Sequence, residues 1–302
     1  MDVGKYKLLL KAVELRNLTK AATALGYTQS GASHIISSIE AELGVALLRR
    51  DHSGTHLTME GEMLLPSIQE LVLCGEKIRA LSQSILGIQA GVLRVASFAS
   101  ISLLWLPQIV GRLHALYPDI RVEIVSETGS YQEMEEFLLN ARVNCGFVRM
   151  PVDPALNCIP LMRDPMLVVL PPDHPLAAQE EPITFAQLAQ EPFLMPTEGN
   201  NYEIEQLCKQ YAFEPQVAFT MHEDLSLLAM AENGLGYTIL PSLLVNNYPH
   251  KAAVKRLETD PARLIGIATR ANYTVSPLTT AFIDLVCQMA REYIPEQNRL
   301  LD

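Results

Sequence analysis

The side chains with the most concentrated hydrogen-bonding capacity share one face of a short helix. Thr28, Gln29, Ser30, Ser33, His34 and Ser37 fall on one side of the stretch Gln29 to about Leu43, while Ala32, Ile35, Ile36, Ile39 and Leu43 fall on the other. This row offers amide, hydroxyl and imidazole groups to a polar edge. A glutamine can pair with adenine through two hydrogen bonds, a serine can reach a base or a phosphate, and the first turn of a helix favours phosphate. On composition alone, a solvated helix face is the plainer reading. A little further on, Arg50 is suited to clamp a phosphate; His52 and His56 are weaker contacts, being mostly neutral at pH 7.

The elements that must position these groups shift the balance. Tyr6, Leu9, Leu10, Val13 and Leu15 predict a first amphipathic helix that stops near Arg16 and Asn17. Asn17 can cap a second, in which Leu18, Ala21, Ala22 and Leu25 continue the apolar stripe until Gly26, and Ala21-Ala22 lets another helix approach closely. Thr28 caps the third and Gly44 closes it. Two helices joined by a short glycine-containing turn form the helix-turn-helix pattern. Leu47 to Thr58 then reads as a hairpin with its tip at Ser53-Gly54, a wing.

Leu57, Leu64, Leu71, Ile78 and Ile85 recur every seven residues, flanked by Leu65, Ile68, Val72, Leu81 and Leu86. The heptads predict a long helix over 59–88 that pairs with a partner helix; a helix lying on its own domain is the alternative. Pro66 should kink it and Gly75 weaken it.

From Gly91 the pattern changes. A strand at Val92–Ala96, a helix from about Ser100 to Leu116 and an alternating strand through Val122, Ile124 and Ser126 make a βαβ unit. A helix near Gln132–Leu139 and strands at Cys145–Val148, Met166–Leu170, Pro192–Met195 and Tyr237–Pro241 continue an α/β architecture.

The chain carries a net charge of −11, but residues 1–90 hold nine basic and nine acidic side chains, so the deficit lies in the rest. An acidic body would turn a neutral front toward DNA. The five cysteines, Cys74, Cys145, Cys158, Cys208 and Cys287, are scattered without metal-ligand spacing, which predicts structural thiols, with a redox sensor left as an alternative. No metal or cofactor is expected. The N-terminus does not read as a signal peptide, and no apolar run of about 18 residues occurs, so a cytoplasmic location away from membranes is expected.

An enzyme is the rival class, yet there is no G-x-S-x-G, H-E-x-x-H or P-loop, and Gly234-Leu235-Gly236 lacks the third glycine of a dinucleotide site. A transporter's solute-binding protein would account for the body but not for the first 90 residues.

The stretch NLTKAATALGYTQSGASHIISSIEAELGVALLRRDHSGTHLTMEG, Asn17 to Gly61, resembles the N-terminal signature of LysR-type transcriptional regulators. It departs from that family at Asn17, usually Ser, at Leu48, usually Phe, and in a wing that carries histidine rather than more arginine. LRVASFASISLLWLP, ETGS, HPLA, EPF and GLGYTILP resemble the effector-binding region of the same regulators.

The resemblance implies an α+β multidomain chain: a winged helix-turn-helix over 1–58, a linker and dimerisation helix over 59–88, and a two-lobed α/β effector-binding domain over 91–302, similar in fold to periplasmic binding proteins. Lobe I would span 91–162 and 269–302 and lobe II 163–268, with crossings near Leu161–Arg163 and Gly266–Ala268. Implied partners are double-stranded promoter DNA, a small, anionic effector and the chain itself as a dimer or tetramer, with RNA polymerase an open candidate. Ser100 stands where the family places an effector-contacting Ser or Thr; Ser102 and Ser130 lie nearby, and all three could instead cap helices. Arg149 could pair with an anion or with a surface carboxylate. Asn200, Asn201 and His222 are the second-lobe candidates.

Overall fold

Asn17 and Thr28, residues whose short oxygen-bearing side chains suit a helix start, set the geometry of the front end. The structure, a computed structural model, describes residues 2–51, 54–86, 91–125, 131–197 and 201–301. Its contacts divide the chain into two units, Met1–Leu86 and Gly87–Asp302.

In the first unit, α1 (Val3–Glu14), α2 (Leu18–Ala24) and α3 (Gln29–Leu43) precede β1 (Leu48–Asp51), β2 (Gly54–Leu57) and α4 (Met59–Leu86). Tyr6, Leu9, Ala21, Ala22, Ala32 and Ile39 are at most 1% exposed and form the centre of one apolar cluster. Ala21 and Ala22 leave room for the neighbouring helices, as their size suggests. Leu25 does not join this core: it is the α2 C-cap and 39% exposed.

The helix α4 runs continuously through Pro66. Ile68 is buried, and Leu64, Leu71 and Val72 pack partly on the same cluster, so the first half of the heptad stripe covers the head itself. Ile78, one heptad further on, is 66% exposed and lies off that cluster. Gly75 has a specific role here, because a Cβ at that position would meet the Val3 side chain at 2.8 Å. Its cost in helix propensity is offset by close approach to α1.

The second unit begins with β3 (Gly91–Ala96), α5 (Ala99–Leu104), α6 (Leu106–Leu116), β4 (Ile120–Val125), α7 (Tyr131–Leu139), β5 (Cys145–Met150) and β6 (Leu156–Leu170). It continues with α8 (Phe185–Leu188), β7 (Pro192–Pro196), α9 (Tyr202–Tyr211), β8 (Gln216–Met221), α10 (Asp224–Glu232) and β9 (Thr238–Pro241). The last elements are α11 (Ser242–Val245), β10 (Ala253–Arg256), β11 (Ala262–Arg270) and α12 (Pro277–Tyr293). The single helix expected from Ser100 to Leu116 is broken at Trp105, with Pro107 in the first turn of α6, where its missing N–H costs nothing.

The strands β3 and β4 pair in parallel, as the βαβ pattern requires, and β5, β11 and the first part of β6 complete that sheet. The rest of β6 pairs with β9 and β10 in the second lobe, where β7 and β8 form a further parallel pair. Thus β6 and β11 are the two bridges between lobes. The chain leaves the first sheet around Pro165 and re-enters it at Leu264, where β11 begins to pair with β5. This return precedes the one expected at Gly266–Ala268, because Ile265 and Ile267 are buried in the core of the first lobe.

Candidate functional site

Two places gather the residues singled out by the sequence, one in each unit. In the head, the Asn17 side chain accepts from Lys20 N at 2.9 Å and the Thr28 hydroxyl from Gly31 N at 3.1 Å, so both caps are made. Each satisfies a donor that a helix start would otherwise leave open. Gln29, Ser30, His34 and Ser37 are exposed along α3, whereas Ser33 is half-buried. Thr28 is exposed too, but its hydroxyl is engaged in the cap and lies 3.3 Å from Ser30 Oγ.

The far end of α3 holds the hairpin. Gly44 takes the left-handed conformation (φ 73°), and the Glu40 carboxylate accepts from Leu47 N at 2.8 Å and Leu48 N at 3.1 Å. Charge-assisted bonds of this kind fix where β1 starts. In the hairpin, Arg49 faces His56 and Arg50 faces Thr55 across the strands; His56 is half-buried and Arg49 exposed. His52 lies outside the described residues, as do the other two candidates Ser130 and Asn200 in the second unit.

Between the lobes sits a network that begins with two charges inside apolar strands. Arg263 and Asp164 stand opposite each other in the β11–β6 ladder, and both Nε and Nη2 of the guanidinium reach Asp164 Oδ2 at 2.9 Å. The other carboxylate oxygen accepts from Ser242 Oγ and Leu243 N, each at 2.8 Å, at the start of α11. Arg263 also donates to Ser100 Oγ at 2.7 Å and Tyr131 Oη at 3.0 Å and lies over the Phe98 ring. Burial opposes its charge, but Tyr131, Asp164 and Glu203 more than offset that, and its pKa is raised. Burial is also what pushes the Tyr131 phenol up to about 12.

Arg149, at the end of β5 in the first lobe, reaches into the second. Its Nε lies 3.1 Å from Glu203 Oε1 in the first turn of α9, with side-chain exposures of 19% and 11%. Its guanidinium stands 3.7 Å from the centre of the Tyr202 ring and 5.9 Å from that of Tyr131. This pair is therefore half-buried across the cleft and is not a fully exposed surface salt bridge. The Asp224 carboxyl, first in α10, has a pKa raised by burial and by Glu203, against the pull of Arg263 and His222.

Of the sequence candidates in this unit, Ser100 and Arg149 reach the network directly. Ser102 is half-buried on α5 and its hydroxyl has no hydrogen-bond partner. Asn201 donates to Glu205 Oε1 at 2.9 Å, and His222 Nδ1 lies 3.0 Å from Thr197 Oγ1. Asp164, Arg263, Tyr131, Tyr202, Glu203 and Asp224 were missed. A lone Asp in LMRDPMLVVL and a lone Arg in ARLIGIATR were the available signals, since a charge inside an apolar strand needs a partner.

Burial raises the thiol pKa of Cys145, Cys158, Cys208 and Cys287, that of Cys158 to about 11. Such thiols stay protonated at neutral pH, the opposite of what a redox sensor needs. Among the described residues no cluster of three His, Cys, Asp or Glu could hold a metal, and no helix is long and apolar enough to cross a membrane. A separate cavity of about 340 Å³ lies against Trp105, Gln108, Met162, Asn246 and Tyr293, and contains none of the sequence candidates.

A capped helix-turn-helix with a wing, followed by a two-lobed α/β domain, defines a class of DNA-binding transcriptional regulators. The family profile "Bacterial regulatory helix-turn-helix protein, lysR family" matches residues 4–62, and "LysR substrate binding domain" matches residues 87–291. The chain belongs to the LysR family: it is a LysR-type transcriptional regulator with a substrate-binding domain.

Among its relatives, the probable HTH-type transcriptional regulator LrrA of Synechococcus elongatus is 32% identical over 97% of this chain and 98% of the relative. The uncharacterized HTH-type transcriptional regulator YvbU of Bacillus subtilis is 31% identical over 86% of this chain and 88% of its own length. Two solved structures share the fold at 22% identity. A full-length OxyR variant from Pseudomonas aeruginosa has a TM-score of 0.74, covering 95% of this chain and 98% of that one. Full-length CbnR complexed with its target DNA has a TM-score of 0.63, covering 96% and 100%.

Proposed function

We propose that this regulator reads operator DNA through the outer face of α3 and is controlled by a small effector bound between the lobes of its second unit. The exposed row of Gln29, Ser30, His34 and Ser37 on a helix capped by Thr28 is the observation that carries the reading. Bases are met by Gln29 and the serines, and phosphate by the α3 N-terminus, with Thr28 and Ser33 supporting the face from within. Arg50 adds a phosphate contact from the wing, flanked by His52 and His56. CbnR complexed with target DNA, which shares this fold, supports the assignment.

In the second unit the effector presents an anionic group to Arg149, with Ser100, Ser102, Ser130, Asn200, Asn201 and His222 around it. The interlobe position of Arg149 and of the Ser100 network supports this. Dimerisation through the later heptads of α4, from Ile78 on, supplies the affinity that a head of balanced charge lacks. Operators selected from a random DNA library by the full-length protein test the first half of the reading. A recurrent sequence is expected, bound at least 1,000-fold more tightly than random DNA, roughly the lower end for specific regulators. Equal affinity for selected and random DNA would sink it.

A further inference from the structure

The seat now taken by Arg149 says what kind of effector can replace it. On the second lobe, the Tyr202 ring and the Glu203 carboxylate bound a place for a cation. The guanidinium held 3.7 Å from the ring centre shows that a cation fits there. Yet the seating is imperfect: Arg149 Nε and Glu203 Oε1 are both shut off from solvent, and neither makes a hydrogen bond among the described residues, although they lie 3.1 Å apart. A desolvated ion pair without good hydrogen-bond geometry recovers little of what its burial costs. It is open to exchange for a ligand that serves both partners better.

Charge balance narrows the ligand. Asp164 and Arg263 neutralise each other and are tied to Ser100, Tyr131, Ser242 and Leu243. Arg149 and Glu203 neutralise each other across the cleft. A plain anion inserted at Arg149 would strand Glu203. A plain cation inserted at Glu203 would strand Arg149. A molecule carrying both charges strands neither.

We propose that the effector is a small zwitterion of the amino-acid type, its carboxylate taken by Arg149 and its ammonium by Tyr202 and Glu203. Arg149 and Glu203 then act as an internal latch that the ligand divides. This rests on the cleft being the effector site and adds the cationic half of the ligand.

The test is calorimetric titration of the full-length protein with each of the twenty standard L-amino acids. Every amino acid that binds is then compared with its N-acetyl derivative, which keeps only the anion, and with the corresponding amine, which keeps only the cation. At least one amino acid is expected to bind, with both derivatives weaker by tenfold or more. Glu203→Gln and, separately, Tyr202→Ala should weaken the amino acid by tenfold or more without weakening the N-acetyl derivative. Using two variants guards against one that fails to fold, which thermal unfolding would reveal.

Binding of N-acetyl derivatives as tight as that of the parent amino acids overturns the zwitterion while leaving the cleft in place. Silence from all twenty overturns it too. An amino acid whose affinity ignores Arg149→Ala, Glu203→Gln and Tyr202→Ala, but falls with Asn246→Leu in the Trp105 cavity, overturns the cleft itself.

Discussion

Under the proposed reading, the outer face of α3 and the cleft of the second unit solve recognition in opposite ways. The α3 face is exposed and carries hydrogen-bonding groups without a formal charge, on a scaffold fixed by caps. The cleft is built around paired charges, buried for Arg263 with Asp164 and half-buried for Arg149 with Glu203, each pair drawn from distant parts of the chain. A surface that must meet many DNA sequences and discriminate among them can leave its groups in water until contact. A cavity that must stay folded while empty has to satisfy its charges internally, and the ligand must compete with those internal partners.

That contrast can be broken most sharply at Asp164. Replacing it by alanine leaves Arg263, 4% exposed, without its countercharge, and should cost about 3–5 kcal/mol. The single tryptophan, Trp105, lies in the second unit, so its fluorescence in a denaturant titration reports that unit alone. A loss below about 1 kcal/mol, the scale of an exposed ion pair, would show that the network is not the keystone of the cleft.

In the head, Gln29→Ala should leave folding intact and remove about 1–3 kcal/mol of discrimination between selected and random DNA. Arg50→Ala should instead weaken all sequences alike and lower the salt slope of binding by about one. Equal effects of both variants on selected and random DNA would contradict the division of labour. Asn17→Ala should cost the head about 1 kcal/mol and Asn17→Ser almost nothing, read from amide exchange in α2, because the cap to Lys20 N is what the side chain provides. Tyr6→Phe should leave the head no less stable, and up to about 1 kcal/mol more so, since the buried Tyr6 hydroxyl has no hydrogen-bond partner to lose.

The same contrast explains what was legible in the sequence. Caps, turns and stripes are local, so Asn17, Thr28 and Gly44 announced the head, and all three do what their chemistry suggests. Gly75 was visible only as a weak point, because its close neighbour Val3 lies at the other end of the unit. In the second unit, strands and helices were readable but their partners were not. Arg263 and Asp164 are 99 residues apart, and only the antiparallel register brings them face to face. Pro160 and Pro165 hid the length of β6, yet the strand runs through both. Ser100 and Arg149 could be singled out one by one, whereas their partners Arg263, Glu203 and Tyr202 come from distant parts of the chain and could not.

Glu40 has a mechanical consequence for the DNA that this head accepts. By holding both amides at the start of β1 from the last turns of α3, it makes reading helix and wing a single jaw of fixed gape. Under the proposed reading, the distance along the duplex between the α3 contacts and those of Arg50 cannot be stretched inside the head. An operator lengthened there by one base pair, about 3.4 Å, should lose one set of contacts outright, and tolerance of half-site spacing must come from outside the jaw.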